Sequence, residues 1–223
     1  MEDKELFARY KKLYSALITD SFDKLVKLGD KTPNYCLDYN IRPLKEDFTI
    51  IGRALPMKAR ETGIMKDNPF DKLLLAIEDL KKGEVIVETM VDSETLYGGW
   101  GELVSTAAMV RGSNGAIING LTRDAKGIKK CGFPVFAKGF TPNDSNGRNE
   151  IIDIRCDIVI NGVKISNGDL IFADYEGIVV IPAGREEEIL LIAENKKDLE
   201  NDVLKLLLAG ESIIEIFNKY HIL

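Results

Sequence analysis

Histidine and cysteine are scarce in this 223-residue sequence. The one histidine, His221, lies close to the C-terminal end, which excludes most Ser-His-Asp, Cys-His and histidine-metal chemistries. The three cysteines, Cys36, Cys131 and Cys156, are far apart and form no Cys-x-x-Cys motif, so they indicate neither a disulfide framework nor a thiolate zinc site. A bound metal would therefore be held mainly by oxygen, which favours Mg²⁺ or Mn²⁺.

Long apolar runs and basic stripes are also missing. No apolar run reaches the roughly 18 residues of a membrane span, and the charged start MEDKELFARYKKLY lacks the apolar core of a signal peptide, so we expect a cytoplasmic protein without membrane association. The 30 basic and 36 acidic residues give a net charge of -6. Because no Lys/Arg stripe is interleaved with aromatics, a nucleic-acid groove is not expected.

The composition is that of a globular protein, with 45% hydrophobic and 30% charged residues. No Pro/Ser-rich linker or long charge run marks a domain boundary. We predict a single domain over residues 1–223, in which residues 185–223 form a C-terminal helical segment that packs on a neighbouring subunit.

The middle of the sequence alternates between strand and helix patterns. EVIVETM, GAIIN and PVFAK favour strands, and ELVSTAAMVRG and RDAKGIKKCG favour helices between them. This order predicts a parallel β-α-β-α-β segment. Upstream, IIGRALPMKAR favours a strand in which Pro56 indicates an edge or a bulge. Asn68-Pro69 is predicted to cap a helix that ends at Gly83.

The second half favours hairpins and then helices. CDIVI-NG-VKI and DLIFAD-YEG-IVVIP each predict a hairpin, and Gly184 precedes a long amphipathic helix to about Leu208. Gly210 separates it from a last helix. With helices also predicted near the N-terminus, the fold class is α/β, a mixed sheet with a central parallel segment, a hairpin-rich second half and helices at both termini.

Ligands of open α/β sheets bind beyond the carboxyl ends of the strands, and two such ends contain suggestive residues. YGGWGELV follows the EVIVETM strand, and its glycines could let the first backbone amides of the next helix bind a carboxylate or a phosphate. The alternative explanation of these glycines is a tight turn between the strand and the helix. After GAIIN come Arg123 and Asp124, a carboxylate-binding fork and a metal-binding oxygen. Their alternative reading is an Asp favoured by the helix dipole beside a solvated Arg.

These residues resemble a known family. The stretch WGELVSTAAMVRGSNGAIINGLTRDAKGIKKCGFPVFAKGFTP is similar to the central signature of the 4-hydroxy-4-methyl-2-oxoglutarate aldolase family, which also contains regulators of ribonuclease E activity. ITDSFDKL, IGRALPMKAR and NGVKISNGDLIFADYEGIVVIP extend the similarity over most of the chain. A swivelling β/β/α fold is implied. Asn119 and Asn167 depart from the family pattern, and the first would bear on substrate choice.

The resemblance implies a divalent-metal-dependent lyase that cleaves a 4-hydroxy-2-oxo acid to pyruvate by a retro-aldol reaction, and that also decarboxylates oxaloacetate. Arg123 would bind substrate, Asp124 would ligate Mg²⁺ or Mn²⁺ directly, and Glu102 would reach the metal through water. The substrate's carboxylate end would be cradled by Gly101, Glu102, Leu103 and Val104. Glu200 would complete the outer metal shell from a neighbouring subunit of a trimer or a dimer of trimers.

Three alternatives compete with this interpretation. A non-enzymic regulator that binds a ribonuclease would have no need for Asp124 after Arg123. A methyltransferase is disfavoured because no G-x-G-x-x-G loop follows a strand. A Schiff-base mechanism would need a desolvated lysine, and Lys126 and Lys138 are better explained as surface residues.

Overall fold

The computed structural model describes residues 1–30, 35–91 and 97–222, which contain seven helices and eleven strands. The helices are α1 (Asp3–Tyr10), α2 (Ser15–Lys27), α3 (Asp71–Glu78), α4 (Glu102–Val110), α5 (Ala125–Cys131), α6 (Glu186–Leu208) and α7 (Ile213–Tyr220). The strands are β1 (Arg42–Pro43), β2 (Ile50–Glu61), β3 (Glu84–Met90), β4 (Gly98–Trp100), β5 (Gly115–Thr122), β6 (Val135–Phe140), β7 (Asn149–Ile154), β8 (Ile158–Ile160), β9 (Val163–Ile165), β10 (Leu170–Ala173) and β11 (Ile178–Ile181).

The main sheet has the strand order β1-β6-β5-β3-β2-β10-β11. Its centre is parallel, because β3 pairs in parallel with β2 and β5, and β5 pairs in parallel with β6. Along the chain, α4 lies between β3 and β5, and α5 lies between β5 and β6. The predicted β-α-β-α-β segment is therefore confirmed, and the carboxyl ends of its strands lie at one edge.

Both predicted hairpins are also present. β8 and β9 pair antiparallel around Asn161 and Gly162, whose φ values of 49° and 82° match the left-handed conformations of a two-residue type I′ turn. β10 and β11 pair antiparallel in the main sheet. The fold class predicted from the sequence is confirmed in both its parallel and its antiparallel part.

Pro56 lies inside the sheet, so its prediction as an edge residue is wrong. β2 pairs with β3 on one side, while its other side pairs first with β10 and then with β7. Pro56 lies between these two partners, and its carbonyl accepts a hydrogen bond from the backbone N–H of Arg155 (2.8 Å). The missing N–H of proline is tolerated there because neither ladder on that side includes the residue. A register shift occurs further on, between Lys58 and Ala59.

The predicted cap of the third helix is wrong. α3 begins at Asp71, with Phe70 at the cap position and no side-chain capping bond, and it ends at Glu78 rather than at Gly83. Pro69 and Phe70 form a turn before the helix, so Asn68 lies too far upstream to cap it. Near the N-terminus, the helical pattern is divided between α1 and α2, which are separate helices.

Buried side chains form three clusters around the sheet. One lies beneath α3, α4 and α5 on the parallel part, and its members include Leu55, Trp100 and Ile118. A second joins β10 and β11 to α1, α2 and α6. The third lies between the sheet and the β8–β9 hairpin. In the described ranges, none of the helices combines the length and apolar content that a membrane span requires.

Candidate active site

The glycine-rich segment after β3 contains a strand and is more than a turn. Gly98–Trp100 forms β4, which pairs in parallel with the end of β5. A Cβ on Gly98 would lie 2.9 Å from the Cβ of Arg123, so only glycine permits this approach. The Trp100 carbonyl accepts hydrogen bonds from the Arg123 N–H (2.8 Å) and the Thr122 hydroxyl (2.6 Å). The backbone of β4 thus fixes where Arg123 leaves the sheet.

Asp124 adopts the left-handed conformation, with φ 56° and ψ 32°. Few residues other than glycine do so, although Asp is among those that tolerate it. Asp124 stands at the cap position of α5 but makes no capping bond. Its Oδ2 instead accepts a long hydrogen bond of 3.4 Å from the N–H of Glu102, at the start of α4. The helix-dipole alternative agrees with the position of Asp124 at the start of α5, but it explains neither the left-handed backbone nor the bond to α4.

Arg123 lies between two carboxylates. Its Nη1 is 3.0 Å from Asp144 Oδ1, and its Nε is 3.5 Å from Asp124 Oδ1. All three side chains are partly exposed, at 35% for Arg123, 42% for Asp124 and 45% for Asp144. Asp144 was missed by the sequence analysis, although it follows β6. The carboxyl-end argument used for Arg123 could have found it.

An open crevice of about 360 Å³ joins these residues to the start of α4. Gly101, Leu103, Val104, Arg123 and Asp124 all line it, so five predicted site residues are brought together. The first amides of a helix have no partner within it, and Leu103 and Val104 bring this end of α4 to the crevice, while the N–H of Glu102 donates to Asp124.

Glu102 is not among the residues that line the crevice. Its carboxylate lies against Gly127 of α5, where a Cβ would overlap it. Its predicted approach to a metal through water stays a prediction.

Glu200 lies in another part of the molecule. It belongs to α6, accepts a hydrogen bond from the Tyr14 hydroxyl and lies 3.5 Å from Lys196 Nζ. Lys196 in turn pairs with Asp20 of α2. Glu200 is not one of the crevice-lining residues of its own chain. It could reach a site of this kind only in another copy of the chain.

Glu88 of β3 is a second acid that the sequence analysis missed. It is 3% exposed, its Oε2 has no hydrogen-bond partner among the described residues, and burial raises its pKa to about 7. A Cβ on Gly99 would lie 2.9 Å from Glu88 Oε1 and 3.4 Å from the unpartnered Nδ2 of Asn149. Because Gly99 also lines the crevice, this buried acid lies directly behind one of the crevice-lining residues. An acid inside the apolar run EVIVETM was the available signal.

The sequence is similar to a family model and to several known proteins. A family model described as RraA-like, Aldolase/RraA, matches residues 16–180. The chain belongs to the RraA-like family. An uncharacterised protein of Methanocaldococcus jannaschii is 30% identical over 179 residues, which cover 80% of this chain and 83% of that protein. A protein of Halalkalibacterium halodurans, provisionally named a 4-hydroxy-4-methyl-2-oxoglutarate aldolase, is 28% identical, covering 86% of this chain and 84% of its own.

A solved structure shares the fold of this RraA-like chain. Streptomyces coelicolor RraAS2, described as an unusual member of the RNase ES inhibitor RraA protein family, superposes with a TM-score of 0.74 at 24% identity, covering 88% of this chain and 94% of its own. The resemblance seen in the sequence is confirmed at the level of family and fold. Asn119 is not a crevice-lining residue, so its bearing on substrate choice stays a prediction.

The crevice of this RraA-like chain offers few protein ligands for a metal ion. Among the described residues, no three His, Cys, Asp or Glu side chains cluster closely enough to hold an ion within one chain. Mg²⁺ commonly takes one or two carboxylates and keeps several waters. The partly exposed carboxylate of Asp124 suits such a loosely held ion, and Asp144 is the next acid in the crevice.

Proposed function

We propose that this protein is a divalent-metal-dependent lyase that cleaves a 4-hydroxy-2-oxo acid by a retro-aldol reaction and releases pyruvate. The observation that supports it most is the left-handed Asp124 beside Arg123, with both side chains partly exposed in one crevice. Residues held in sparsely populated conformations cluster at functional sites. The provisional name of the Halalkalibacterium halodurans relative agrees with this activity.

Arg123, Asp124 and the start of α4 would each have a separate role in the reaction. Arg123 would bind the substrate's carboxylate and stabilise the oxyanion that develops on the 2-oxo oxygen. Asp124 would hold the ion, and the first amides of α4 would orient the carboxylate end. The bound Mg²⁺ or Mn²⁺ would supply Lewis-acid polarisation of the 2-oxo group. Loss of CO₂ from oxaloacetate leads to the same pyruvate enolate, so decarboxylation is part of the proposal.

Glu200 enters the proposal only through oligomerisation. In its own chain it contacts Tyr14 and Lys196 and does not line the crevice. The same end of α6 has exposed apolar side chains, with Leu204 at 53% and Leu208 at 80%. A trimer or a dimer of trimers would cover such a surface and could bring Glu200 to the outer metal shell of a neighbour.

A pyruvate-release assay over 4-hydroxy-2-oxo acids and oxaloacetate tests the activity. We expect release that a chelator abolishes and that Mg²⁺ or Mn²⁺ restores. Borohydride added during turnover should attach no pyruvate to Lys126, which is exposed and does not line the crevice. Full activity in excess chelator would exclude the metal mechanism, and a stable lysine adduct would indicate a Schiff-base aldolase instead.

A further inference from the structure

Asp144 has one carboxylate oxygen that is held in place and one that is open. Its Oδ1 accepts a hydrogen bond from the backbone N–H of Ser145 (2.8 Å) and lies 3.0 Å from Arg123 Nη1. Its Oδ2 accepts no hydrogen bond from the residues that the structure describes. The side chain is 45% exposed and lines the crevice. A carboxylate that is oriented through one oxygen and open at the other is suited to accept a proton.

The backbone of Asp144 is anchored from two directions. Gly98 of β4 forms an isolated parallel bridge with Asp144, and the N–H of Gly98 donates to the carbonyl of Asn143 (3.0 Å). The carbonyl of Asp144 accepts a hydrogen bond from Arg148 Nη1 (2.9 Å). Because β4 also fixes Arg123, one short strand positions both side chains. Such preorganisation is what a group acting on a bound substrate requires.

Arg123 lies between the two acids of the crevice. It contacts Asp124 through Nε and Asp144 through Nη1, and among the described residues that line the crevice these two are the only carboxylates. In the proposed function, Asp124 would hold the ion beside the 2-oxo group, and Arg123 would stabilise the oxyanion there. The 4-hydroxyl lies two carbons further along the substrate. Asp144 is therefore the acid of the crevice that remains for the hydroxyl end.

We infer that Asp144 is the general base of the carbon–carbon cleavage. The inference rests on the proposed function and assigns a residue to its proton-transfer step. Asp144 Oδ2 takes the proton of the 4-hydroxyl, the C4–O bond becomes a carbonyl, and the C3–C4 bond breaks. The electron pair of that bond forms the pyruvate enolate, whose oxyanion Arg123 stabilises. Water then supplies a proton to C3 and takes the proton from Asp144, so the carboxylate is regenerated.

Two reactions of the same crevice distinguish a base from a residue that only positions Arg123. Cleavage of 4-hydroxy-4-methyl-2-oxoglutarate, the compound in the name of the Halalkalibacterium halodurans relative, requires the loss of a hydroxyl proton. Decarboxylation of oxaloacetate does not, because CO₂ leaves from a carboxylate that is already ionised. A general base of the cleavage is therefore dispensable for the decarboxylation.

Asp144→Asn should separate these two reactions. The amide oxygen of Asn can still accept hydrogen bonds from Ser145 and Arg123, but the side chain no longer takes a proton. We expect kcat for the cleavage to fall at least about 100-fold. The rate of CO₂ release from oxaloacetate should fall by no more than about tenfold, because only the charge of the contact with Arg123 is lost. Asp144→Ser should show the same split, so the test does not depend on one substitution.

Two outcomes in these variants would overturn the inference. An equal loss of both reactions would make Asp144 a positioning residue for Arg123. Cleavage at the unmodified rate would assign the hydroxyl proton to water or to another acid. The matched control is Asp157→Asn, which removes an exposed carboxylate that pairs with Lys164 outside the crevice and should leave both reactions unchanged.

Metal binding tests the main rival role of Asp144. Titration calorimetry should show that Asp144→Asn binds Mg²⁺ as the unmodified protein does. Loss of Mg²⁺ binding would identify Asp144 as a metal ligand and overturn the inference. The proposed function is tested separately, since no release of pyruvate from either compound by the unmodified protein would refute the lyase activity itself.

Discussion

Two polar regions of the molecule are held in place by different means. In the crevice, the backbone does the positioning, since Asp124 is left-handed and Arg123 is fixed by the Trp100 carbonyl against Gly98. Around Glu200, on the surface between α2 and α6, long side chains pair with one another near solvent. The ion pairs of both regions are partly exposed and contribute little by themselves, and the crevice differs in having backbone constraints in addition. The crevice is therefore organised within one chain, whereas the role proposed for Glu200 depends on a contact with a neighbouring subunit.

The largest effect is expected at Asp124. Asp124→Asn should weaken Mg²⁺ binding and lower pyruvate release by roughly 1000-fold, because the developing oxyanion loses its cation. Arg123→Lys should keep the metal bound but lose the bidentate fork, which raises KM. Titration calorimetry with Mg²⁺ and steady-state kinetics measure both. Equal loss of metal in the two variants would contradict the division of roles.

Glu88 should make the stability of the protein depend on pH. Its pKa rises from 4.5 to about 7 through burial, so the folded state binds this proton more tightly than the unfolded chain. The free energy of unfolding should therefore fall as the pH rises from about 4.5 to about 7, by on the order of 3 kcal/mol. Glu88→Gln should remove most of this fall, and urea unfolding at pH 4, 6 and 8 measures it.

The control for Glu88 is Glu46→Gln, at an exposed position. This variant should reproduce the pH dependence of the unmodified protein. If Glu88→Gln retained the same loss of stability between pH 4 and pH 8, the loss would have to come from other groups.

A smaller effect tests whether the backbone around Gly101 holds Asp124. The added Cβ of Gly101→Ala would lie 2.7 Å from Asp124 Oδ2 and should displace the carboxylate. We expect activity to fall about tenfold with the fold intact, because small misplacements of reacting groups reduce rates strongly. Gly63→Ala, whose Cβ meets nothing within 4 Å, is the matched control. Similar activity in both variants would show that Asp124 is not fixed in this way.

The smallest expected effect is the activity recovered when an inactive Glu200 variant is mixed with an inactive Asp124 variant. Asp124→Ala and Glu200→Ala should each be inactive alone, and mixing them should restore activity in interfaces that contain both native residues. Random exchange would return at most about a quarter of the sites. Native mass spectrometry verifies exchange, and a pyruvate assay measures recovery. Complete exchange without recovery would remove Glu200 from the shared site.

The sequence predicted the parts of the crevice that depend on local pattern. Alternating strand and helix periodicity located the carboxyl ends of β3 and β5, and with them Arg123 and Asp124. Periodicity could not predict the left-handed conformation of Asp124, which is found where β4 packs along the end of β5. The positions of Asp144 after β6 and of Glu88 inside the apolar run EVIVETM were signals in the sequence, but the ion pair of Asp144 with Arg123 and the contact of Glu88 with Gly99 arise between segments that are distant along the chain, and periodicity does not predict such pairings.

On one side of β2 the pairing strand changes from β10 to β7, and this change affects how the sheet can open locally. Because Pro56 has no amide proton, the row of exchange-protected amides on that side of β2 is divided into a β10 part and a β7 part. Each part can open by local fluctuation while the parallel ladder to β3 stays closed. We therefore expect amide hydrogen exchange to distinguish the β10 part of this ladder from the β7 part.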